Sequence, residues 1–169
     1  MLIFDEQMFC HLCREADQSP RRRQHINLHR SHEESCQRLF NAIQPESYIA
    51  PHRHAVSNTR ELLVAVQGRF ALVTFKDEGD LLSVIPFGTE LHLDDSCSSV
   101  GVEVPPNVWH TVLATEKNSI LLEVKEGPFL PTESKELAPW APRVGSSEAE
   151  IFLSKLQLYV RAHLRALAD

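Results

Sequence analysis

Short apolar runs of strand length, separated by turn residues, dominate the middle of the chain. From residue 48 to residue 125 these runs are rich in Val, Leu, Ile and Phe. Turn residues separate them at 67–68, 77–80, 105–107 and 116–119. Short runs with turns between them are typical of antiparallel sheets. The pattern therefore predicts a mainly β domain that folds as a sandwich or a barrel.

Periodic apolar positions predict helices before this region. Residues 5–15 have an amphipathic pattern that ends before Pro20, and residues 33–43 carry apolar side chains at helical spacing, closed by Pro45. Residues 24–28 between them are expected to be extended. We expect residues 1–45 to form a helical and extended segment packed on the outside of a β-barrel that spans residues 46–130.

The last region, residues 131–169, is predicted to be a strap followed by a helix. The strap is rich in proline and contains Trp140. Ser147 and Glu150 match a capping box, which opens a helix that runs to about Ala168. The apolar face of this helix is wide. We expect it to dock on the chain's own barrel; the alternative is that it contributes to a dimer interface. The chain itself is expected to form a homodimer.

Charge and composition narrow the classes of partner. The chain has 169 residues, is 43% hydrophobic and carries a net charge of −6, so neither a nucleic acid nor an anionic membrane surface is expected as a partner. No apolar run approaches the ~20 residues that span a bilayer. The first residues lack the basic and apolar regions of a signal peptide. The expected location is therefore cytoplasmic.

The cysteines are interpreted as ordinary thiols. Cys10 and Cys13 have the spacing of a zinc or redox pair, but no second pair follows them. Cys36 and Cys97 are isolated in the sequence, and we expect them to be buried or half-buried small apolar residues.

Three histidines and a glutamate are candidate metal ligands. Alternate side chains of a strand face the same way, so His52 and His54 project together. Glu61 and His110 lie in two further strand-like runs, which a barrel can bring beside them. Three imidazoles and one carboxylate supply the donors that a divalent ion needs. We predict one divalent ion per chain; the donor set suits iron, zinc, nickel, manganese, cobalt and copper alike.

The two histidine segments resemble the paired motifs of the cupin superfamily, which are small β-barrels. The first cupin motif is His-x-His, then Glu, then Gly, and Gly68 follows Glu61 by seven residues as in that pattern. In the second segment Asn107 stands where a Gly is usual, and Asn is the next best residue for a positive φ. The resemblance implies a single cupin barrel (double-stranded β-helix or jelly roll) with flanking N-terminal helices and a C-terminal helix.

Six residues separate His54 from Glu61, which is a longer gap than in most cupins. In this feature the chain resembles the WbuC family of cupin-fold metalloproteins, in which a longer loop is typical. The resemblance covers most of the chain. The residues that carry it are Arg23, 27–29, 37–39, 48–54, 101–110 and 123–129. Lys135 and residues 138–142 extend it. The family is known mainly for metal binding, and some members are associated with bacterial surface-polysaccharide gene clusters. It implies a sugar or nucleotide-sugar ligand but supplies no reaction.

Further site candidates come from strand parity and charge. Tyr48 would share the inward face with His52 and His54, and its hydroxyl is a candidate for proton transfer, as is Glu61; the alternative for Tyr48 is an aromatic plug. Glu123 and Lys125 share one face of a predicted strand and are candidate ligand-binding residues, the alternative being a solvated ion pair.

A cationic stretch near the N-terminus is a candidate anion site. Arg23, His25 and His29 could hold a phosphate or carboxylate, although a solvated patch is the alternative. The remaining histidines stand apart from the motifs and are interpreted as ordinary surface or core residues: His11, His32, His92 and His163.

Three classes of function are compatible with these residues. The first is a metal-dependent isomerase or epimerase acting on a sugar or nucleotide-sugar, with the ion as Lewis acid. The second is an iron-dependent dioxygenase. The third is a non-catalytic sugar-binding or regulatory cupin. The identity of the metal separates the first two classes, and ligand binding without turnover identifies the third.

Overall fold

Ten strands and two helices make up the described part of the chain, which in this computed structural model comprises residues 1–55, 58–89, 99–131 and 135–168. The helices are α1 (Glu6–Gln18) and α2 (Ser147–Ala168). The strands are β1 (Arg23–Asn27), β2 (Cys36–Ile43), β3 (His52–Arg53), β4 (Glu61–Gln67), β5 (Arg69–Phe75), β6 (Leu81–Gly88), β7 (Gly101–Val104), β8 (Trp109–Ala114), β9 (Ser119–Glu126) and β10 (Glu136–Leu137).

The strands form two antiparallel sheets of five. The first sheet has the order β1-β2-β9-β4-β7, and the second has the order β10-β3-β8-β5-β6. Apolar side chains from the two sheets pack together in one core, among them Leu63 and Leu121 from the first and Phe70 and Val112 from the second. Burial of this shared face holds the sheets together. The predicted mainly β architecture is confirmed.

Each helix covers the outer face of one sheet. On α1, Leu12 and Ala16 pack with Phe40 and Ile120 of the first sheet, and the side chain of Asp5 caps the helix by accepting a hydrogen bond from the N–H of Met8. The two predicted terminal helices, α1 and α2, are confirmed. The order of layers is therefore helix, sheet, sheet, helix.

The C-terminal helix docks on the chain's own second sheet, as expected. Leu153 and Val160 of α2 pack against Val73 and Phe75. The opposite side of α2 exposes apolar side chains, namely Ile151, Leu158 and Tyr159. The expectation of a homodimer stays a prediction.

The predicted helix over residues 33–43 is wrong, because residues 36–43 form strand β2. Both faces of this strand are covered: Phe40 and Ala42 face α1, whereas Ile43 lies in the core between the sheets. Gln37 and Asn41, on the same side of the strand as Ile43, line cavities. Each face of β2 thus carries both polar and apolar residues, so the strand lacks the regular alternation of polar and apolar positions that normally identifies a strand in a sequence. The N-terminal segment thus supplies two strands of the first sheet.

Two turns have the geometry that their residues predict. Gly68, between β4 and β5, has a φ of +75°, and a Cβ there would lie 2.3 Å from Oγ of Ser119. Asn107, just before β8, has a φ of +65°, so Asn performs here the role that Gly has in the cupin motif.

The strap contributes one short strand. Within it, β10 pairs with β3, and the ring of Trp140 packs 5.0 Å from the ring of Phe75.

Of the cysteines, Cys13 is buried on α1 and Cys36 is exposed, so the expected burial of Cys36 is wrong. Cys97 and His92 lie outside the described residues. The described part of the chain contains no helix that is long and apolar enough to cross a membrane.

Candidate metal centre

Four side chains from both sheets converge at one end of the interior. His52 and His110 are paired across strands β3 and β8 of the second sheet, His54 follows β3, and Glu61 begins β4 of the first sheet. One donor atom from each of the four side chains lies within 4.8 Å of the others. All four residues are at most 8% exposed. The structure therefore brings together the predicted metal ligands.

Backbone carbonyls orient two of the imidazoles. Nδ1 of His52 lies 3.0 Å from the carbonyl oxygen of Ala50, and Nδ1 of His110 lies 2.8 Å from that of Val108. A neutral imidazole that donates its Nδ1–H to a carbonyl presents a lone pair at Nε2. This arrangement fixes the ring and is typical of metal-binding histidines.

The charge states of the cluster also suit a cation. Burial, assisted by the neighbouring His110, lowers the pKa of His52 to about 3, so this ring is neutral at pH 7. Burial acts to raise the pKa of Glu61, but the contacts with His110 and His54 and the charge of Lys125 outweigh it and hold the pKa well below its usual value. Glu61 is therefore a carboxylate at neutral pH.

The donor set passes a direct test of fit to a metal. Oε2 of Glu61 lies 3.2 Å from Nε2 of His110 and 3.5 Å from Nε2 of His54. With the Nδ1–H of a neutral His110 given to Val108, Nε2 and the carboxylate oxygen both present lone pairs, and the contact is favourable only with a proton or a metal ion between them. A divalent ion held by Glu61 and the three imidazoles removes this conflict.

A cavity of about 190 Å³ opens beside the four ligands. Its lining includes apolar side chains, Leu63, Val112 and Leu121. It also includes three cationic side chains, Arg23, Lys125 and Lys135, together with Glu123, Asn41 and Phe129. The cavity therefore combines a metal site with three cations, which suits an anionic or chelating small molecule.

Glu123 and Lys125, on β9, link the cavity to the metal ligands. Nζ of Lys125 lies 2.7 Å from Oε1 of Glu123 and 3.8 Å from Oε1 of Glu61, because Lys125 is directly opposite Glu61 in the sheet. Burial, and then the charge of Glu61, raise the pKa of Glu123 against the attraction of Lys125. Glu123 is therefore a carboxyl group that holds its proton to a higher pH than an exposed glutamate.

Arg23 is held firmly at the wall of the cavity. Its Nη1 donates hydrogen bonds to Oγ of Ser47 at 3.1 Å and to the carbonyl oxygen of Tyr48 at 2.9 Å. Burial and the neighbouring Arg21 lower the pKa of Arg23 to about 10, so it remains a cation at pH 7. His29, predicted with it, lines an adjoining cavity instead.

The structure places Tyr48 away from the cavity. Its ring lies in the core beneath α2, 6.1 Å from the ring of Phe152, and its hydroxyl donates to the carbonyl oxygen of Pro142 at 2.9 Å. The parity argument assumed a continuous strand from Tyr48 to His54, whereas β3 begins at His52. Tyr48 is thus the aromatic plug that was its alternative, and we do not assign it a catalytic role.

Sequence reasoning missed several residues at the cavities. Asn41 lines both cavities, and the helical interpretation of residues 33–43 concealed it. Phe129 and Lys135 lie on the chain after β9, where no periodic pattern predicts a direction. His32, interpreted as an ordinary histidine, lines the second cavity. Correct strand parity for β2 would have identified Asn41.

Comparison with known proteins gives a family model and structural neighbours. A model described as a domain of unknown function, DUF6016, matches residues 4–86, a range that includes His52, His54 and Glu61 but not His110. The comparison with curated proteins finds no match. Protein SO0799 from Shewanella oneidensis is 13% identical with a TM-score of 0.51, over 81% of this chain and 83% of that one.

Two further structures show the same resemblance. CapF, in complex with the inhibitor 3-isopropenyl-tropolone, is 14% identical with a TM-score of 0.51, over 70% of this chain and 32% of its own. KdgF from a Halomonas species is 15% identical with a TM-score of 0.46, over 68% and 84% of the two chains. The chain has a cupin-type fold. At these identities the similarity extends to the fold alone, and the buried cluster of three histidines and one glutamate has the composition of a metal site.

Proposed function

We propose that this protein is a metal-binding cupin that binds a small anionic molecule beside its metal and catalyses a proton-transfer reaction on it. The observation that carries the proposal is the cavity that four metal-ligating groups and three cationic side chains line together. A divalent ion held there would supply Lewis-acid polarisation of a carbonyl or hydroxyl oxygen of the substrate.

Arg23 supports anion binding in this proposal. Its guanidinium is held by three hydrogen bonds that all involve one nitrogen, Nη1. Guanidinium groups recognise carboxylate and phosphate oxygens through paired N–H donors. Lys125 and Lys135 add positive charge at the same wall. Together they would orient the acidic group of a substrate relative to the metal ligands.

Glu123 is the proposed proton carrier. Its carboxyl group lines the cavity, and burial raises its pKa above that of an exposed glutamate, so it can take a proton from a substrate and return it. Lys125, 2.7 Å away, would stabilise the carboxylate after the proton leaves. Proton removal at one carbon and return at the same or a neighbouring position is the chemistry of epimerases and isomerases, which we therefore favour over dioxygenase chemistry.

The proposed substrate class is a sugar or nucleotide-sugar. It rests on the resemblance to the WbuC family, carried by residues 48–54, 101–110 and 123–129, and the same resemblance suggests a role in bacterial surface-polysaccharide synthesis. The cavity is compatible with such a ligand because it offers an apolar wall, hydrogen-bonding groups and cations.

The test is elemental analysis of untagged protein by inductively coupled plasma mass spectrometry. We expect about one divalent ion per chain, and we expect the substitution His110→Ala to remove most of it while the circular dichroism spectrum stays unchanged. His11→Ala is the matched control, since His11 is exposed on α1. Stoichiometric metal in the His110→Ala protein would contradict the assignment.

The same preparation separates the classes of reaction. With iron bound, oxygen uptake in the presence of candidate sugars tests the dioxygenase alternative. With zinc, nickel or manganese bound, exchange of substrate C–H hydrogen for deuterium in D₂O tests proton transfer. We expect exchange in the native protein and its loss in the Glu123→Gln variant. Binding without exchange or oxygen uptake would instead identify a sugar-binding cupin.

A further inference from the structure

A second cavity, of about 360 Å³, adjoins the metal cavity. Four residues line both cavities and form the boundary between them: Asn41, Glu123, Lys125 and Phe129. The remaining wall of the second cavity is formed by His25, Asn27, His29, His32, Gln37 and Leu39. We call this space the histidine cavity. The two cavities therefore lie side by side, with these four side chains between them.

Residues on the inner face of the first sheet line both cavities. Along β1, alternate residues face this side, and Arg23 lines the metal cavity whereas His25 and Asn27 line the histidine cavity. The sheet register places His25 opposite Asn41 and Asn27 opposite Leu39. The polar side chains are therefore positioned by rigid strands.

The loop that follows β1 is held in place from two sides. The side-chain amide of Gln37 donates hydrogen bonds to the carbonyl oxygens of Glu34 and His32, at 2.7 and 3.2 Å. The N–H of Phe129 donates to the carbonyl oxygen of His32 at 2.7 Å. Gly127 permits this approach, since a Cβ there would lie 2.0 Å from the carbonyl oxygen of Glu34. The aromatic walls of the cavity are thus fixed before any ligand binds.

One buried polar atom in this wall has no hydrogen-bond partner among the residues that the structure describes. His29 is 8% exposed, and its Nδ1 lies 3.1 Å from the backbone nitrogen and 2.9 Å from the carbonyl oxygen of Arg38. Its Nε2 is buried and makes no hydrogen bond to any residue that the structure describes. A buried polar atom without a partner carries an energetic cost, which a ligand group at this wall would remove.

We infer that the histidine cavity is a second ligand subsite, which binds the hydroxylated ring of a molecule whose anionic group lies in the metal cavity. The inference rests on the proposed function, because it assumes that the metal cavity binds that anionic group. It names the ligand class as an acidic sugar or a sugar phosphate.

Apart from the boundary residues Glu123 and Lys125, which pair with each other, the walls of this subsite carry imidazole, carboxamide and apolar groups, which suit a neutral hydroxylated ring. Neutral imidazole and carboxamide groups each offer both donors and acceptors, and so does a hydroxyl group, whereas carboxylates and phosphates only accept and prefer cations. Burial, and then the charges of Arg21 and Arg23, lower the pKa of His25, which keeps it neutral at pH 7. Phe129 adds an apolar face on which the C–H side of a ring can pack.

The experiment is calorimetric titration of the zinc-loaded protein with matched pairs of probes. The 6-phosphates of glucose, galactose and mannose are compared with inorganic phosphate, and glucuronate and galacturonate are compared with acetate. We expect at least one ring-bearing probe to bind at least about tenfold more tightly than its anion, a difference that corresponds to ~1.4 kcal/mol. The phosphate and carboxylate arms show which acidic group the metal cavity prefers.

Variants of the wall locate the ring. His25→Ala and Asn27→Ala should each reduce the tenfold advantage by at least about threefold, since each removes hydrogen-bonding groups, while affinity for the simple anion stays the same. His29→Asn should do likewise, because the Asn side chain can retain the contact with the Arg38 backbone but lacks Nε2. Gln24→Ala, on the opposite face of β1, is the matched control and should leave the advantage unchanged.

The possible outcomes distinguish this inference from the proposed function. Tight binding of a ring-bearing probe that the three variants weaken supports the inference. Anions that bind while no ring adds affinity, or an advantage that survives all three variants, would overturn the inference alone. Absence of binding by every anion and every sugar to the zinc-loaded protein would overturn the proposed function and with it the inference.

Discussion

Oε2 of Glu61 lies 3.2 Å from Nε2 of His110. When a neutral His110 donates its Nδ1–H to the backbone carbonyl of Val108, its Nε2 is an acceptor, as the carboxylate oxygen is. The pair is stable only with a cation between the two atoms, either a proton or a metal ion. The neighbouring His52, which burial keeps neutral, and His54 complete a set of four donors around the same point. The contact therefore explains why a buried cluster of this composition favours metal binding.

The substitution Glu61→Gln tests this explanation. The Gln amide can donate an N–H to Nε2 of His110, so the metal-free variant no longer needs a cation at this position. We expect its affinity for zinc to fall by at least about 100-fold, because an anionic ligand is lost, while the metal-free melting temperature is equal to or higher than that of the native protein.

The control for this prediction is Glu103→Gln, since Glu103 pairs with Arg60 on the surface and its substitution should change neither quantity. Competition with a fluorescent zinc chelator measures the affinity, and differential scanning calorimetry after dialysis against a chelator measures the melting temperature. A Glu61→Gln protein that binds zinc as tightly as the native one would show that Glu61 is not a ligand.

Metal binding should change the ionisation of Glu123. In the metal-free protein, burial and the charge of Glu61 raise the pKa of Glu123. A divalent ion on Glu61 offsets that negative charge and favours the ionised form of Glu123, so its pKa should fall by about one pH unit or more. The measurement is a carbon-13 NMR titration of labelled glutamate carboxyls with and without zinc, with the signal assigned by its loss in Glu123→Gln.

An unchanged Glu123 pKa on addition of zinc would mean that the metal does not bind next to Glu61. The internal control is the carboxyl signal of Glu46, which lies outside the metal cavity. Addition of zinc at constant pH should leave this signal unchanged.

Packing of α1 on the first sheet should contribute strongly to stability. Leu12 is fully buried between α1 and the sheet, so Leu12→Ala should lower the free energy of unfolding by ~2–5 kcal/mol through lost burial and the cavity left behind. Leu82→Ala, at a leucine that is 60% exposed, should change it by about 0.5 kcal/mol or less. Urea unfolding monitored by circular dichroism measures both; equal effects would contradict the described docking of α1.

We expect the protein to form a homodimer through the outer side of α2. Leu158 and Ile151 are exposed there, two turns apart on one face of the helix. The substitution Leu158→Glu should therefore convert dimers into monomers, because it places a charge in an apolar contact. Sedimentation velocity at several concentrations measures this. The control Leu82→Glu makes the same change at an exposed leucine of β6 and should leave the dimer intact. A native protein that sediments as a monomer would contradict the prediction of a homodimer.

The ligand set of the metal centre was predictable because its signal is local. His52 and His54 share a strand face by parity alone, and Asn107 marks the turn that leads to His110. Glu123 and Lys125 also follow from parity within β9. Tyr48 was not predictable in this way, since its direction depends on where β3 begins, and that boundary is set by pairing with β8 and β10.

The strand β2 shows why part of the ligand site could not be found from the pattern. A strand is recognised in a sequence when polar and apolar residues alternate, because one face is exposed and the other is buried. In β2 both faces are covered, since Phe40 packs under α1 and Asn41 lines the cavities. Which face is inside is decided by α1 and by the neighbouring strands β1 and β9. None of these contacts is local in the sequence.

The order of residues along the chain thus accounts for the β-rich architecture, the two terminal helices and the four metal-ligating side chains, because hydrophobic period, turn chemistry and strand parity act over a few residues. Folding adds what depends on distant segments meeting. The pairing of Glu61 with Lys125 across β4 and β9, the placement of Lys135 beside Arg23, and the histidine cavity next to the metal centre all arise from contacts between elements far apart in the chain.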